Sequence, residues 1–112
     1  MLPLVMIEVR YYLAGDNSPF ADWLANLDAM ARTKVAVAVV RLQHGNLSNV
    51  KSVGEGVLEL KIDFGPGYRV YFGRDGNTLV ILLCGGTKKR QQRDIAQAIA
   101  FWHDYKKSKK PR

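Results

Sequence analysis

Leu58-Glu59-Leu60-Lys61-Ile62-Asp63, followed by Gly65-Pro66-Gly67 and then Tyr68-Arg69-Val70-Tyr71-Phe72-Gly73-Arg74, contains a complete β-hairpin. Leu58, Leu60 and Ile62 alternate with Glu59, Lys61 and Asp63, and a period of two belongs to a strand with one buried and one wet face. Gly65-Pro66-Gly67 supplies a tight turn, so the chain from Tyr68 to Arg74 returns antiparallel. Val70 and Phe72 continue the core side, which sends Arg69 and Tyr71 to the open face that carries Glu59 and Lys61. Asp75-Gly76-Asn77 turns the chain again into Thr78 to Cys84. That unbroken apolar run implies a strand covered on both faces, with Gly85-Gly86 breaking it.

Upstream of the hairpin, Val5 to Tyr11 reads as a strand ending at the turn residues Gly15-Asp16-Asn17. Ser18 and Pro19 have the form of an N-cap with proline in the first turn, and Phe20, Trp23, Leu24 and Leu27 follow at helical spacing. Asp28 can cap a second helix running to about His44, with Ala31, Val35, Ala38, Val39 and Leu42 on one stripe and Gly45 as the stop. Two helices with so short a joint should pack as a hairpin. Val37 and Val40 lie off that stripe, either to meet a partner or to be buried under the first helix. Gly45 to Gly56 reads as a loop from its Gly, Asn and Ser content. Downstream, Ile95, Ala98, Ile99 and Trp102 mark a final helix from about Gln91 to Tyr105. The order is β-α-α-β-β-β-α, an α+β fold in which an antiparallel-rich sheet packs against a helical hairpin and a C-terminal helix. One domain spans residues 1–112, with 1–5 and 106–112 expected to be flexible.

The charge is concentrated. The chain of 112 residues carries a formal +7, and from residue 85 onward Lys88, Lys89, Arg90, Arg93, Lys106, Lys107, Lys109, Lys110 and Arg112 stand against Asp94 and Asp104 alone. Everything before residue 85 is neutral. Four of these cations cluster where a strand ends and a helix begins, a position at which positive charge opposes the helix dipole. A docked polyanion would relieve that conflict, and nucleic acid is the polyanion a concentrated basic patch attracts. Met1 to Ile7 is too short and too soon charged for a signal peptide or membrane span, and the first strand-like pattern begins near Met6, a second candidate start. A lone Cys84 at the end of an apolar strand reads as core filler, and one cysteine fits a reducing cytosol.

The candidate site follows from these placements. Glu59, Lys61, Arg69 and Tyr71 on one sheet face, with Lys88, Lys89 and Arg90 at its rim, could grip a phosphate backbone and stack a base. Each residue also has a plainer reading. Arg69 can offer a planar fork to phosphate oxygens or pair across the hairpin with Glu59 or Asp63. Lys61 and the Lys88–Arg90 run can be solvated faces, Tyr68 and Tyr71 packing residues, and His44 and His103 helix-end charges. No spacing suggests a metal, and the glycine pairs form neither a P-loop nor a dinucleotide fingerprint.

Gly54-Glu55-Gly56-Val57-Leu58-Glu59-Leu60-Lys61-Ile62-Asp63, Gly65-Pro66-Gly67-Tyr68-Arg69-Val70-Tyr71-Phe72, Leu82-Leu83-Cys84-Gly85-Gly86-Thr87-Lys88, and Gln91 with Asp94-Ile95 and Ala98 together resemble a known family. They are similar to the addiction-module killer proteins of the HigB-like, phage Gp49-like branch of the RelE toxin superfamily, over roughly residues 6–105. The resemblance implies a compact RelE-like fold and a cytoplasmic toxin that cuts messenger RNA, often on the ribosome, without metal or other cofactor. It also implies restraint by an antitoxin from the same operon, a small helix-turn-helix protein of the Xre or Cro/C1 type, through which alone operator DNA would be bound. By position, Arg69 matches a catalytic arginine, Lys61 a basic residue on the preceding strand and Lys88 the basic residue after the last strand. Glu59 stands where several relatives have a second basic residue, leaving Glu59 or Lys61 to take the proton in catalysis. Tyr71, Tyr68, Lys89, Arg90, Gln91 and Arg93 would contact RNA. Two other functions remain open on the same fold or face: a ParE-like inhibitor of DNA gyrase, and a non-catalytic RNA-binding or operon-regulating module.

Overall fold

The structure, a computed structural model, describes residues 6–109. Its elements run β1 (Glu8–Tyr11), α1 (Pro19–Ala25), α2 (Ala29–Gln43), β2 (Val50–Gly54), β3 (Val57–Ile62), β4 (Tyr68–Asp75), β5 (Leu79–Thr87), a 3-10 turn (Lys88–Arg90) and α3 (Gln91–Lys109). The five strands form one sheet in the order β1-β5-β4-β3-β2, with β1 parallel to β5 and the other neighbours antiparallel. The fold is α+β.

Local chemistry sets the helix starts as the sequence implies. The Ser18 hydroxyl accepts from the Ala21 amide at 3.0 Å with Pro19 in the first turn, and the Asp28 carboxylate accepts from Ala31 at 2.9 Å. Gly45, at φ +87°, follows the end of α2 in the left-handed region that glycine tolerates. Both helices lie on one face of the sheet. There Phe20, Ala31, Val35 and Leu42 pack on Leu60, Ile62, Tyr68, Val70, Phe72, Val80 and Leu82. Val37 and Val40 are exposed, so α1 does not bury them.

Four expectations are corrected. Within the expected loop Gly45–Gly56, Val50–Gly54 is an edge strand, because pairing with β3 supplies a ladder that local composition does not advertise. Glu55 and Gly56, both at positive φ, make the tight connection to β3. Gly85-Gly86 does not break β5, which continues to Thr87. The face carrying Glu59, Arg69 and Tyr71 is not open, because α3 lies across it with Ala98 and Trp102 packed on Tyr12, Val57, Tyr71, Ile81, Leu83 and Cys84. Finally, α3 runs past Tyr105, so Lys106–Lys109 are helical. The expectations for residues 1–5 and 110–112 lie outside the described residues.

The glycines of β4 and β5 are explained by what lies over them. A methyl group on Gly85 would collide with the Trp23 indole of α1, and one on Gly73 with the Trp102 indole of α3. Each tryptophan therefore lies flat on a gap in the sheet. Gly85→Ala is expected to lower stability by about 1–3 kcal/mol through overpacking. Urea unfolding would read this directly, and an unchanged midpoint would mean that the indole swings aside freely.

The far end of α3 is tied down by Asp75, which accepts from Tyr105 Oη at 2.7 Å and pairs with Lys109. These partners, Lys109 first, hold the Asp75 carboxyl below the usual range, while burial and Asp75 push the Tyr105 hydroxyl up to about 12. Tyr12 does the same for the adjoining turn through a 2.6 Å bond to Asp104.

Candidate nucleic-acid site

The hairpin register places Lys61 opposite Arg69, and Glu59 opposite Tyr71, on the α3 side of the sheet. Arg69 is 5% exposed and Glu59 1% exposed. Their charges lie close, with Arg69 Nε 3.9 Å from Glu59 Oε1, and Lys51 Nζ approaches the same oxygen at 3.7 Å from the edge strand. Gln91, in the first turn of α3, donates to Glu59 Oε2 at 2.8 Å. Of the two readings of Arg69, the cross-hairpin pairing with Glu59 is therefore present. Asp63 takes no part in it.

Arg69 also leads outward. Its Nη1 donates to the Gly67 carbonyl at 2.7 Å, and the backbone amide of Lys88 donates to that same oxygen at 2.9 Å. Gly67 is required here, because it sits at φ +78° and a methyl group on it would press on both Arg69 Nη1 and Lys88 Cβ. The turn between β3 and β4 thus brings the guanidinium to the foot of the Lys88 side chain. Beyond it, Lys88, Lys89, Arg90, Gln91, Gln92 and Arg93 line a shallow depression of about 390 Å³. Lys88, Lys89, Arg90 and Arg93 are exposed, four cations in six residues, and Asp94 is the single carboxylate beside them.

The two tyrosines do not reach this surface. Tyr68 packs in the core, edge-on to Trp23 with ring centroids 6.1 Å apart. Tyr71 is fully buried under α3. Neither ring has a face on which a base could stack. His44 bonds the Val40 carbonyl at the end of α2, and His103, mid-helix in α3, faces Glu55 at 3.6 Å. Lys61 is exposed near the end of β3 and borders a separate groove beside α2. Lys88, Lys89, Arg90 and Arg93 are thus gathered with the edge of Arg69, whereas Glu59 and Gln91 serve to hold Arg69 and α3, and Lys61 stands apart.

Beneath the first turns of α3 lies a polar layer that sequence spacing did not single out. Asp94 drops its carboxylate onto Gly86, where a methyl group would collide with it. Asp94 Oδ2, the Tyr71 hydroxyl and Arg69 Nε are sealed without hydrogen-bond partners. Burial pushes the Tyr71 hydroxyl up, with the Glu59 and Asp94 charges adding to it, and burial raises Cys84 to about 12, so the thiol is a core filler. Burial also raises Asp94, against the pull of Arg90 and Arg93. The only sequence signal for this contact is a glycine inside a strand, which marks a close approach without naming what approaches.

The Asp94 shift has a measurable consequence. A folded carboxyl that holds its proton more tightly than the unfolded one contributes its full stability below about pH 4 and loses it as pH rises through the folded value. Asp94→Asn, which cannot ionise, is expected to melt higher than wild type at pH 7 and together with it near pH 3. A variant that melts lower at pH 7 would mean that Arg90 and Arg93 outweigh the burial.

Among the described residues no helix is long and apolar enough to cross a membrane. The family model for "Phage derived protein Gp49-like (DUF891)" matches residues 22–101, a span from α1 to α3 that includes the hairpin and the basic turn. An uncharacterized protein of Haemophilus influenzae is 49% identical over 80 residues, covering 70% of this chain and 81% of that protein. The matched span exceeds half the chain, and the family is associated with toxin–antitoxin modules in which the toxin pairs with an antitoxin. On these grounds the chain belongs to the phage-derived Gp49-like family.

Proposed function

We propose that this protein is the toxin of a type II toxin–antitoxin module, a RelE-like endoribonuclease that cleaves messenger RNA on the ribosome in the cytoplasm. Its restraint would come from a cognate helix-turn-helix antitoxin of the Xre or Cro/C1 type, which alone would contact operator DNA. The observation that carries the reading is the shared Gly67 carbonyl, which draws the Arg69 guanidinium and the Lys88 backbone to one point at the lip of a basic depression. A guanidinium beside the backbone that carries an exposed lysine suits a phosphate that gains charge during reaction.

In this mechanism the ribose 2′-oxygen attacks the adjacent phosphorus in line, the bond to the 5′-oxygen breaks, and the products are a 2′,3′-cyclic phosphate and a 5′-hydroxyl. Lys88, exposed at the lip, meets the non-bridging oxygens, and Arg69 adds positive charge from behind Gly67. Lys89, Arg90 and Arg93 hold the flanking backbone as sequence-independent phosphate contacts. Glu59, sealed under Gln91, is better suited to position Arg69 than to take a proton from substrate. The proton of the 2′-hydroxyl passes to water. The leaving 5′-oxygen is protonated by water.

A second reading has one observation in its favour. The burial of Arg69 suits a module that binds RNA through the Lys88–Arg93 depression without cutting it. Primer extension on cellular messages after induction separates the two. New 5′ ends inside translated regions are expected of the nuclease, whereas intact messages together with steeply salt-dependent RNA binding would favour the module. Intact messages with blocked plasmid supercoiling would point to gyrase.

A further inference from the structure

A groove of about 430 Å³ runs along the outer side of α2. Met30, Lys34, Val37 and Arg41 form its helical wall, spaced three or four residues apart so that they share one stripe. The end of β3 forms the other wall, with Lys61, Asp63 and then Phe64, whose ring lies 5.3 Å from Lys34 Nζ. Met30 is 61% and Val37 42% exposed, so apolar surface faces water along the stripe. Among the described residues Lys34, Arg41 and Lys61 form no ion pair, and Asp63 is the single carboxylate in the groove. The charge of the groove is therefore unmatched.

Apolar and cationic side chains alternate along that stripe. A phosphate backbone would use the cations and leave Met30 and Val37 wet, whereas an amphipathic acidic helix would satisfy both. From Met30 to Arg41 the wall is about 16 Å long at a rise of about 1.5 Å per residue, or three helical turns. We propose that this groove receives an acidic amphipathic helix of the antitoxin, with apolar side chains on Met30 and Val37 and carboxylates on Lys34 and Arg41. The partner's identity rests on the toxin reading above.

Val37→Glu and Arg41→Glu test the inference, because both residues are exposed and neither belongs to the proposed catalytic set. Induced alone, each variant should arrest growth as wild type does. Co-expressed with the antitoxin from the native operon, each should escape neutralisation. Variants neutralised as fully as wild type would overturn the groove while leaving the toxin reading intact. A second measurement does not depend on toxicity: fluorescence anisotropy of a synthetic helical peptide of about 14 residues with one leucine face and one glutamate face. Wild type should bind it about tenfold or more tighter than either variant, with matching thermal melts showing that the variants are folded. Equal binding, or displacement of the peptide by a short single-stranded RNA, would overturn the proposal. Should wild type fail to arrest growth, the toxin reading falls and the peptide result still decides the groove.

Discussion

Lys88→Ala is expected to lower messenger cleavage a few hundredfold and to leave thermal stability unchanged. Removing one preorganised cation from a developing oxyanion typically costs about 3–4 kcal/mol of transition-state stabilisation, and each 1.36 kcal/mol or so is a factor of ten in rate. The fold should not notice. The Lys88 side chain is exposed, and its structural contact, the 2.9 Å amide bond to Gly67, belongs to the backbone and survives in alanine. Lys88→Arg should retain most of the activity. Cleavage by Lys88→Ala at the wild-type rate would mean that the scissile phosphate does not sit at this lip.

The second large effect concerns stability. Arg69→Ala is expected to destabilise the protein by about 3–5 kcal/mol, because it leaves a carboxylate that is 1% exposed without its buried cation. Lys51, 3.7 Å away and largely exposed, is too solvated to replace it. Glu59→Gln in the same chain should restore much of the loss, since the neutral amide no longer needs a countercharge. Urea unfolding of the two single variants and the double variant gives the coupling. Two single losses that simply add would show that the pair does not act as a unit. For the same reason, loss of growth arrest in Arg69→Ala alone mixes unfolding with lost chemistry, and the exposed Lys88 is the cleaner probe.

The hairpin was legible because its alternation is uninterrupted: Leu58, Leu60 and Ile62 did pair with Phe72, Val70 and Tyr68, and Glu59, Lys61, Arg69 and Tyr71 did share a face. The helix caps were equally legible, since Ser18 and Asp28 act within one turn of chain. What escaped was information held in distant partners. The residues Val50–Gly54 look like loop until β3 is set beside them. Gly85 and Gly86 look like breakers until Trp23 and Asp94 are laid over them. A register shift between Tyr71 and Phe72 pairs them with Cys84 and Leu82, so Leu83 and Cys84 both turn toward α3 and the glycines that follow exchange faces.

The candidate site was half legible for the same reason. Composition marked the basic turn with Lys88, and the mid-strand guanidinium singled out Arg69, as the resemblance also did. Alternation then assigned Tyr71 and Glu59 to the correct face but left it open to solvent. The apolar stripe of the final helix, Ile95, Ala98, Ile99 and Trp102, needed a surface to cover, and Tyr71, Ile81 and Leu83 provide it. Matching those two stripes would have turned the tyrosine from a base platform into a core residue.

The central claim is that the basic turn beside Gly67, with Lys88 at its lip, cuts a phosphodiester. The most direct measurement is the end chemistry of a defined messenger incubated with translating ribosomes and purified protein, wild type beside Lys88→Ala. Fragments ending in a 2′,3′-cyclic phosphate and a 5′-hydroxyl, formed by wild type and reduced a few hundredfold in the variant, are the predicted result. An intact messenger with wild type, or identical fragments from both proteins, would contradict it.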